Sequence, residues 1–363
     1  MLRRSVALAS LAAFSWIPAS PAAAACTGAW DALPSPAAHY AEGVEALTQD
    51  DAWLVAWDTN TGGEDQGYAY HWDGAAWTKV TIPQPGVAEY VRGIGAIAPD
   101  DVWIVGSWQE TTTYESHAYI AHWEDAQFTQ IPVDAGTSPR LFAADGVASD
   151  DVWTVGYHHA NRRYVSLAMH WDGVSWTEVA TPMPDLAERF LYGVDAIAAD
   201  DVWAVGSTYT RATGVKPLAL HWDGVSWTNT APRSPGPGSL FAGVAATAPN
   251  RAWAVGQVNN GEGSLIERWN GSRWKVFPVP DTGVTPTSLS DVSAVSAQKA
   301  WAVGSADATP LLFRWNGTAW RSATVPGGHS GYLAEVDSLP SGVSFVAGTN
   351  SGHILALQRC PAI

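Results

Sequence analysis

A repeat of about fifty residues runs along most of the chain and constrains its fold more than any other feature. The string "DDVWAVGS" occurs at residues 200–207, and a second string, "HWDGVSW", follows at 221–227. Variants of both strings recur in step along the sequence. Because the strings and their spacing repeat together, the sequence predicts seven copies of one structural unit. The aromatic residues that mark the first string are Trp53, Trp103, Trp153, Trp203, Trp253, Trp301 and Phe345.

Each unit is typical of four short β-strands. In the unit around Trp203, apolar runs occupy 193–197, 202–206 and 218–222, and an Asp-Gly turn then leads into a fourth strand. No stretch shows sustained helical periodicity. Four-stranded antiparallel units at this period predict an all-β fold, a seven-bladed β-propeller. Tryptophan side chains, which number 21, would fill the space between adjacent blades.

The seventh unit contains three strand-like segments, and its fourth strand is found at the other end of the sequence. "GAWDALPSP" at 28–36 matches "AAWTKVTIPQP" at 75–85. We therefore expect the N-terminal strand to complete the last blade and close the ring. The two cysteines, Cys26 and Cys360, align with the same position of the hairpin turn, which predicts a disulfide between them.

The first 25 residues have the composition of a secretory signal peptide. Two arginines precede a short apolar run, and "PAAAA" supplies small residues for cleavage. We expect residues 1–25 to be a signal peptide, residues 26–363 to form the propeller domain, and the protein to be secreted. A twin-arginine signal and lipidation of Cys26 remain open alternatives. The apolar run is too short to span a membrane, and we expect no other span.

The charge balance restricts the class of ligand. Acidic residues outnumber basic ones 35 to 19, and the net charge is −16. Phosphate backbones are bound by clusters of Lys and Arg, so we expect no nucleic-acid partner. The balance is compatible with cations, with neutral ligands such as sugars, or with a protein partner. We expect a monomer.

The loops between the second and third strands vary most between copies, and variable loops on a rigid scaffold are the usual location of function. Aromatic residues and one arginine precede several of the innermost strands and should surround the channel mouth on this face. They could stack on sugar rings or accept a peptide, or they could pack on neighbouring loops. The predicted ligand-binding residues are Tyr40, Tyr90, Arg140, Phe190, Tyr192 and Tyr332.

Acidic residues recur one register deeper on the innermost strands. Several carboxylates converging on one channel must be solvated, protonated or bridged by a cation. An oxygen-rich site suits Ca²⁺, so Ca²⁺ is a candidate ion, although no cofactor is required. The alternative is a water-filled channel in which the acids bond to adjacent backbone amides. The candidate metal ligands are Glu45, Asp145, Asp195 and Asp337.

The "DDVWAVG…HWDGxxW" pattern resembles repeats of secreted bacterial β-propeller proteins, many of them uncharacterised. Its Asp-Gly-x-x-Trp hairpin is similar to a shortened Asp-box of sialidase-type propellers and propeller lectins. The resemblance implies the fold for residues 26–363 and a binding scaffold. The sequence departs from two known propeller families. The Gly-Gly doublet of kelch repeats and the Arg triad of sialidases are not apparent. No G-x-S-x-G or H-E-x-x-H motif occurs.

These observations favour a secreted, non-enzymatic recognition module that binds a glycan or an extracellular protein on the loop-rich face. The alternative is a hydrolase or lyase acting on polysaccharide, with Asp145 and Asp195 as acid and base. Similar acids at one register of several blades look more like repeat inheritance than a dedicated catalytic pair. A structural surface protein without a small ligand is a third possibility.

Overall fold

The repeated units fold as seven four-stranded antiparallel sheets. A computed structural model describes residues 28–59, 65–182 and 187–361. Six sheets use consecutive strands, and the seventh combines three C-terminal strands with one N-terminal strand. We number the sheets as blades 1 to 7, starting with the sheet that contains strands β2 to β5. The predicted signal peptide, residues 1–25, lies outside the described residues and stays a prediction.

The two inner strands of each blade are long. The first strands are β2 (Tyr40–Ala46), β6 (Val87–Ala98), β10 (Thr137–Ala148), β14 (Glu188–Ala198), β18 (Leu240–Ala248), β22 (Thr287–Ser296) and β26 (Gly331–Ser338). The second strands are β3 (Ala52–Thr59), β7 (Asp101–Gln109), β11 (Asp151–Ala160), β15 (Asp201–Thr210), β19 (Arg251–Val258), β23 (Lys299–Ala306) and β27 (Ser344–Asn350).

The outer strands shorten toward the circumference, and one 3₁₀ turn, Asn259–Gly261, lies between β19 and β20. The third strands are β4 (Asp65–Trp72), β8 (Ser116–Glu124), β12 (Arg163–Trp171), β16 (Gly214–Trp222), β20 (Gly263–Trp269), β24 (Thr309–Trp315) and β28 (His353–Arg359). The fourth strands are β5 (Trp77–Val80), β9 (Gln127–Gln130), β13 (Trp176–Glu178), β17 (Trp227–Asn229), β21 (Trp274–Val276), β25 (Trp320–Ser322) and β1 (Trp30–Ala32).

The first strands surround a central channel. Each contacts the first strands of both neighbouring blades, and β2 packs against β26 as well as β6. Every second strand pairs with the first strand of its own blade, so the blades radiate outward from this ring. The architecture is the all-β, seven-bladed propeller of four-stranded blades that the repeat predicts.

Tryptophans of the repeat form the hydrophobic core between blades. Trp203 of blade 4 is fully buried, and its ring lies 5.7 Å from the rings of Trp269 and Trp274 in blade 5. Trp103 of blade 2 packs in the same way on Trp171 and Trp176 of blade 3. Each flat ring therefore fills the wedge between two sheets, which explains why a large aromatic residue recurs in each unit.

An Asp–His pair joins the second and third strands of blades 1 to 4. In blade 4, His221 Nε2 lies 2.7 Å from Asp201 Oδ1, and the imidazole stacks on Trp203. Each pair joins strands of a single blade, so these histidines do not converge on one ion. The pairs in the other three blades are Asp51–His71, Asp101–His122 and Asp151–His170.

The Asp-Gly turns are stabilised by hydrogen bonds from backbone amides of the turn to the Asp side chain. In blade 4, Asp223 Oδ1 accepts hydrogen bonds from the amides of Val225 and Ser226, and Gly224 has a positive φ of 86°. Asn270 and Asn316 accept the equivalent bonds in blades 5 and 6. A side-chain acceptor followed by a residue free to adopt positive φ is what this tight turn requires.

Strand β1 pairs antiparallel with β28, and Trp30 lies opposite Arg359. The fourth strand of blade 7 thus comes from the N-terminal part of the described chain. Cys360 is 8% exposed and is not a free thiol. Cys26 lies outside the described residues, so the predicted Cys26–Cys360 disulfide is not confirmed. In the described part of the chain, no helix has the length and apolar character needed to cross a membrane.

Candidate binding site at the mouth of the central channel

Each innermost strand carries a β-bulge at the same position. In blade 1, Ala41 pairs with Ala56 and Gly43 with Val55, so Glu42 has no partner across the ladder. The extra residue breaks the alternation of side chains and turns one more of them toward the channel. All seven unpaired residues line the channel cavity. These bulge residues are Glu42, Arg92, Phe142, Tyr192, Ala242, Ser290 and Ala334.

The channel holds a cavity of about 560 Å³ with walls from all seven blades. Large side chains at the bulges come from blades 1 to 4, whereas Ala242, Ser290 and Ala334 come from blades 5 to 7. The cavity therefore has one wall of charged and aromatic groups and one wall of small residues. Such an asymmetric, concave surface can hold a ligand in one orientation.

Blades 3 and 4 place an aromatic cluster at this wall, made of Phe142, Tyr157, Tyr164, Phe190 and Tyr192. Edge-to-face contacts hold it together: the Phe142 and Tyr192 ring centroids are 5.4 Å apart, and those of Tyr157 and Phe190 are 5.0 Å apart. Phe142 and Tyr192 line the cavity, and Tyr164 is 41% exposed. The cluster extends from the channel to the loop-rich surface.

Blades 1 and 2 contribute a charged wall beside the cluster. The Arg92 guanidinium lies 5.3 Å from the centroid of Phe142 and 5.8 Å from that of Tyr90. Its Nε is buried and has no hydrogen-bond partner among the described residues. Glu42 accepts a hydrogen bond of 2.6 Å from Trp57 Nε1. Burial raises the pKa of Glu42, although the positive charge of Arg92 and the Trp57 bond oppose the shift.

The structure places one of the six predicted ligand-binding residues on the cavity wall and the other five outside the cavity. Tyr192 lines the cavity, whereas Tyr40, Tyr90, Arg140, Phe190 and Tyr332 do not. Tyr40 stacks on Trp57 with ring centroids 4.3 Å apart, and Phe190 belongs to the aromatic cluster. Arg140 lies opposite Tyr157, and Tyr332 lies opposite Thr349. These five are partly buried positions that support the wall.

The deeper carboxylates connect neighbouring blades. Asp145 Oδ2 accepts a hydrogen bond of 2.7 Å from the amide of Ala196, and its Oδ1 accepts one from Gly146. Asp195 accepts from the Ala246 amide in the same way. The equivalent bonds elsewhere run from Val336 to Asp291, from Val44 to Glu335 and from Ala46 to Asp337.

Crowding and burial change the protonation of these acids. Burial raises the pKa of Asp145 and of Asp291 to about 7, against opposing bonds from backbone amides. Burial and nearby carboxylates raise the pKa of Glu45, Asp195 and Glu335 well above the usual range. Part of the ring therefore keeps its protons near neutral pH, which limits the repulsion between the acids.

The candidate metal ligands Glu45, Asp145, Asp195 and Asp337 all face the channel region. They do not bring three ligand atoms within 4.8 Å of one another. Among the described residues, Glu110, Glu115 and His117 do so, in and beside the connection from β7 to β8. A calcium ion in the channel stays a prediction.

Sequence reasoning did not assign Glu42, Arg92 or Phe142 to the cavity, because strict alternation from the deeper acidic positions, such as Glu45 and Asp145, turns the residue three positions earlier away from the channel. A signal was present in the glycine that follows the bulge in several blades. A Cβ at Gly93 would lie 2.5 Å from the Phe142 carbonyl oxygen and 2.7 Å from the Cα of Ala143. Glycine is needed there because the neighbouring backbone approaches closely.

No protein-family model and no curated protein matches the chain. Solved structures do match its fold. YCF48 from Cyanidioschyzon merolae has a TM-score of 0.63 at 14% identity, covering 92% of this chain and 99% of that one. YCF48 bound to D1 peptide gives 0.59 at 14%, covering 91% and 96%. The WD40 β-propeller domain of Doa1 gives 0.60 at 11%, covering 91% and 97%. At these identities the similarity shows that the chain has a β-propeller fold.

Proposed function

We propose that this protein is a secreted, non-enzymatic recognition module that binds a segment of an extracellular polypeptide at the channel mouth. The observation that carries the proposal is the bulge wall. It places the unpartnered Nε–H of Arg92 beside the ring of Phe142, which contacts Tyr192, at the edge of an open cavity.

A polypeptide matches both parts of this wall. A backbone carbonyl or a carboxylate can accept a hydrogen bond from Arg92, which satisfies a donor that is otherwise buried without a partner. An apolar or aromatic side chain can pack on Phe142 and Tyr192. The small residues of blades 5 to 7 leave room for the remainder of the segment. One protein with a similar fold, YCF48, has been solved with a D1 peptide, which supports a peptide ligand for this architecture.

The test is selection of peptides from a displayed library on the purified chain, followed by calorimetry of the selected peptide. We expect Arg92→Gln to weaken binding about tenfold or more, as removal of a hydrogen bond to a charged group does. Tyr192→Ala should weaken binding to a similar extent. Arg211→Gln is the matched control for Arg92→Gln, because it removes the same charge from an exposed position outside the cavity. Equal affinity of all variants, or no selected peptide, would refute the proposal.

A glycan is the second candidate ligand, and the exposed aromatic side chains favour it. Among the described residues, the exposed tyrosines are Tyr114, Tyr164 and Tyr209. Tyr114 lies in the connection between a second and a third strand, and Tyr164 and Tyr209 lie at the strand ends beside such connections, on the loop-rich face. A glycan array with Ca²⁺ and again with EDTA tests this candidate. Binding lost in EDTA would also support a calcium site. Absence of binding in both conditions would exclude a glycan as the ligand.

The hydrolase or lyase alternative depends on Asp145 and Asp195. Both carboxylates accept hydrogen bonds from backbone amides of the next blade, which supports a structural role for these groups. Asp145→Asn should leave ligand binding intact. Turnover of a polysaccharide that Asp145→Asn abolishes in a folded protein would instead establish the enzyme.

Export and the terminal disulfide belong to the same proposal. We expect the mature protein to begin near Cys26, and a digest without reducing agent to contain a linked peptide pair with Cys26 and Cys360. Mass spectrometry of the exported protein measures both properties. An uncleaved N-terminus would contradict removal of the signal peptide, and two free thiols would contradict the disulfide.

A further inference from the structure

Basic residues are concentrated in the C-terminal blades. The chain as a whole is strongly acidic, with 35 acidic and 19 basic residues. In the segment 231–363, however, the basic residues outnumber the acidic ones. The acidic residues of this segment are Glu262, Glu267, Asp281, Asp291, Asp307, Glu335 and Asp337, and the basic ones are Arg233, Arg251, Arg268, Arg273, Lys275, Lys299, Arg314, Arg321 and Arg359.

The positive charge replaces the Asp–His pairs of the earlier blades. In blade 6, Lys299 stands at the position of the aspartate and Arg314 at that of the histidine. Blade 5 has Arg251 and Arg268 at the same two positions. An aspartate and a histidine in blades 1 to 4 are thus replaced by two basic residues in blades 5 and 6.

One of these substitutions, Arg314, lines a cleft of about 490 Å³ between blades 6 and 7. Arg314 and Arg321 line it from blade 6, and Arg359 lines it from blade 7, with the rings of Trp30 and Trp301 between them. Among the described residues that line the cleft, none carries a carboxylate. The cleft is therefore a concave, aromatic-backed surface with three guanidinium groups.

Two of the guanidiniums share one ring. Arg314 lies 5.8 Å and Arg359 lies 5.4 Å from the centroid of Trp301. Burial and the charge of Arg314 lower the pKa of Arg359. Across the described ranges, no carboxylate lies within ion-pair distance of Arg314, Arg321 or Arg359. Like charges are held together here without a counter-charge from the described residues.

We propose that the cleft between blades 6 and 7 binds a tetrahedral oxyanion, a phosphate or sulfate group, through Arg314, Arg321 and Arg359. The planar donor fork of arginine matches the oxygen atoms of such groups and forms paired hydrogen bonds with them. An anion between the guanidiniums removes their mutual repulsion, while Trp301 fixes the position of two of them. The group can be a free anion or an ester on a polysaccharide.

Titration calorimetry with sodium phosphate, with sodium chloride of equal ionic strength as reference, tests the site. We expect phosphate to bind and Arg359→Gln to weaken its binding at least tenfold. Arg321→Gln provides a second variant, because Arg321 is exposed and its loss should leave folding intact. Arg211→Gln is the matched control, since it removes the same charge from an exposed position in blade 4. Equal weakening by Arg211→Gln would show general charge attraction and overturn the site.

Dextran sulfate and unsulfated dextran separate the two sources of the anion. Binding of inorganic phosphate identifies a site for the free anion. Binding of dextran sulfate alone, lost in Arg359→Gln and retained in Arg211→Gln, identifies an ester on a polymer. If neither inorganic phosphate nor dextran sulfate binds, the proposal is overturned. The channel variant Arg92→Gln should bind either probe as the wild type does, so this result is independent of the peptide experiment.

Discussion

Two features repeat with the same period: the hairpins at the edges of the blades and the bulges of the innermost strands. They differ in which parts of the structure are alike from copy to copy. At the hairpins of blades 1 and 3 to 6 both the backbone and the type of side-chain acceptor recur, as in the turns around Asp223 and Asn270. At the bulges only the backbone recurs, and the side chains range from Arg92 to Ala242. A repeated backbone with varied side chains builds an asymmetric site on a symmetric scaffold.

The largest expected effect comes from breaking the wedge between blades. Trp203→Ala removes a fully buried ring that packs on Trp269 and Trp274. We expect the free energy of unfolding to fall by about 3–5 kcal/mol, as for other buried tryptophans. Urea unfolding followed by circular dichroism measures this change. A loss below about 1 kcal/mol would show that the wedge is not a main source of stability.

The channel acids should make stability depend on pH. In the unfolded chain a carboxyl ionises near pH 4, whereas burial raises the pKa of Asp145 to about 7 in the folded protein. Between these values the folded state binds more protons, so the free energy of unfolding falls as pH rises. We expect a lower melting temperature at pH 8 than at pH 5.

Asp145→Asn is the variant that isolates this effect. The amide keeps an oxygen that can accept the Ala196 hydrogen bond and has no charge to acquire. The fall in melting temperature from pH 5 to pH 8 should therefore be smaller than in the wild type. Melting curves at the two values measure it, and an unchanged difference would show that Asp145 does not titrate in this range.

The smallest effect is expected at the edge of a blade. Asp223→Asn should change the melting temperature at neutral pH less than either of the other variants, because Asn270 and Asn316 already perform the same role in blades 5 and 6. Turn amides lower the pKa of Asp223, so its contribution should be lost as pH falls below about 4. Thermal melting at pH 7 and pH 3 compares the two proteins. A large change at pH 7 would mean that the hairpins contribute more to stability than the equivalence of the two residues allows.

Local patterns were sufficient to predict much of the fold. The seven units and the Asp-Gly turns could be read from spacing, and the structure contains seven four-stranded sheets. These features depend on interactions between residues close in sequence, which each copy repeats.

The candidate site could be predicted only in part, since the bulge changes which side chains face the channel. Tyr192 was identified, whereas Glu42, Arg92 and Phe142 were not. A bulge depends on the pairing of two strands and on the backbone of the next blade, as the contacts around Gly93 show.

By itself, the sequence determined the number of blades, their strand order and the residues that fill the space between them, because hydrophobic period and turn chemistry are local properties. The tertiary structure decided which side chains share a surface. It brought Arg359 of blade 7 onto the ring of Trp301 in blade 6, and it placed Arg92 beside Phe142 of the next blade. These contacts arise where separate blades pack together, and the position of one blade against another follows from the geometry of the whole ring.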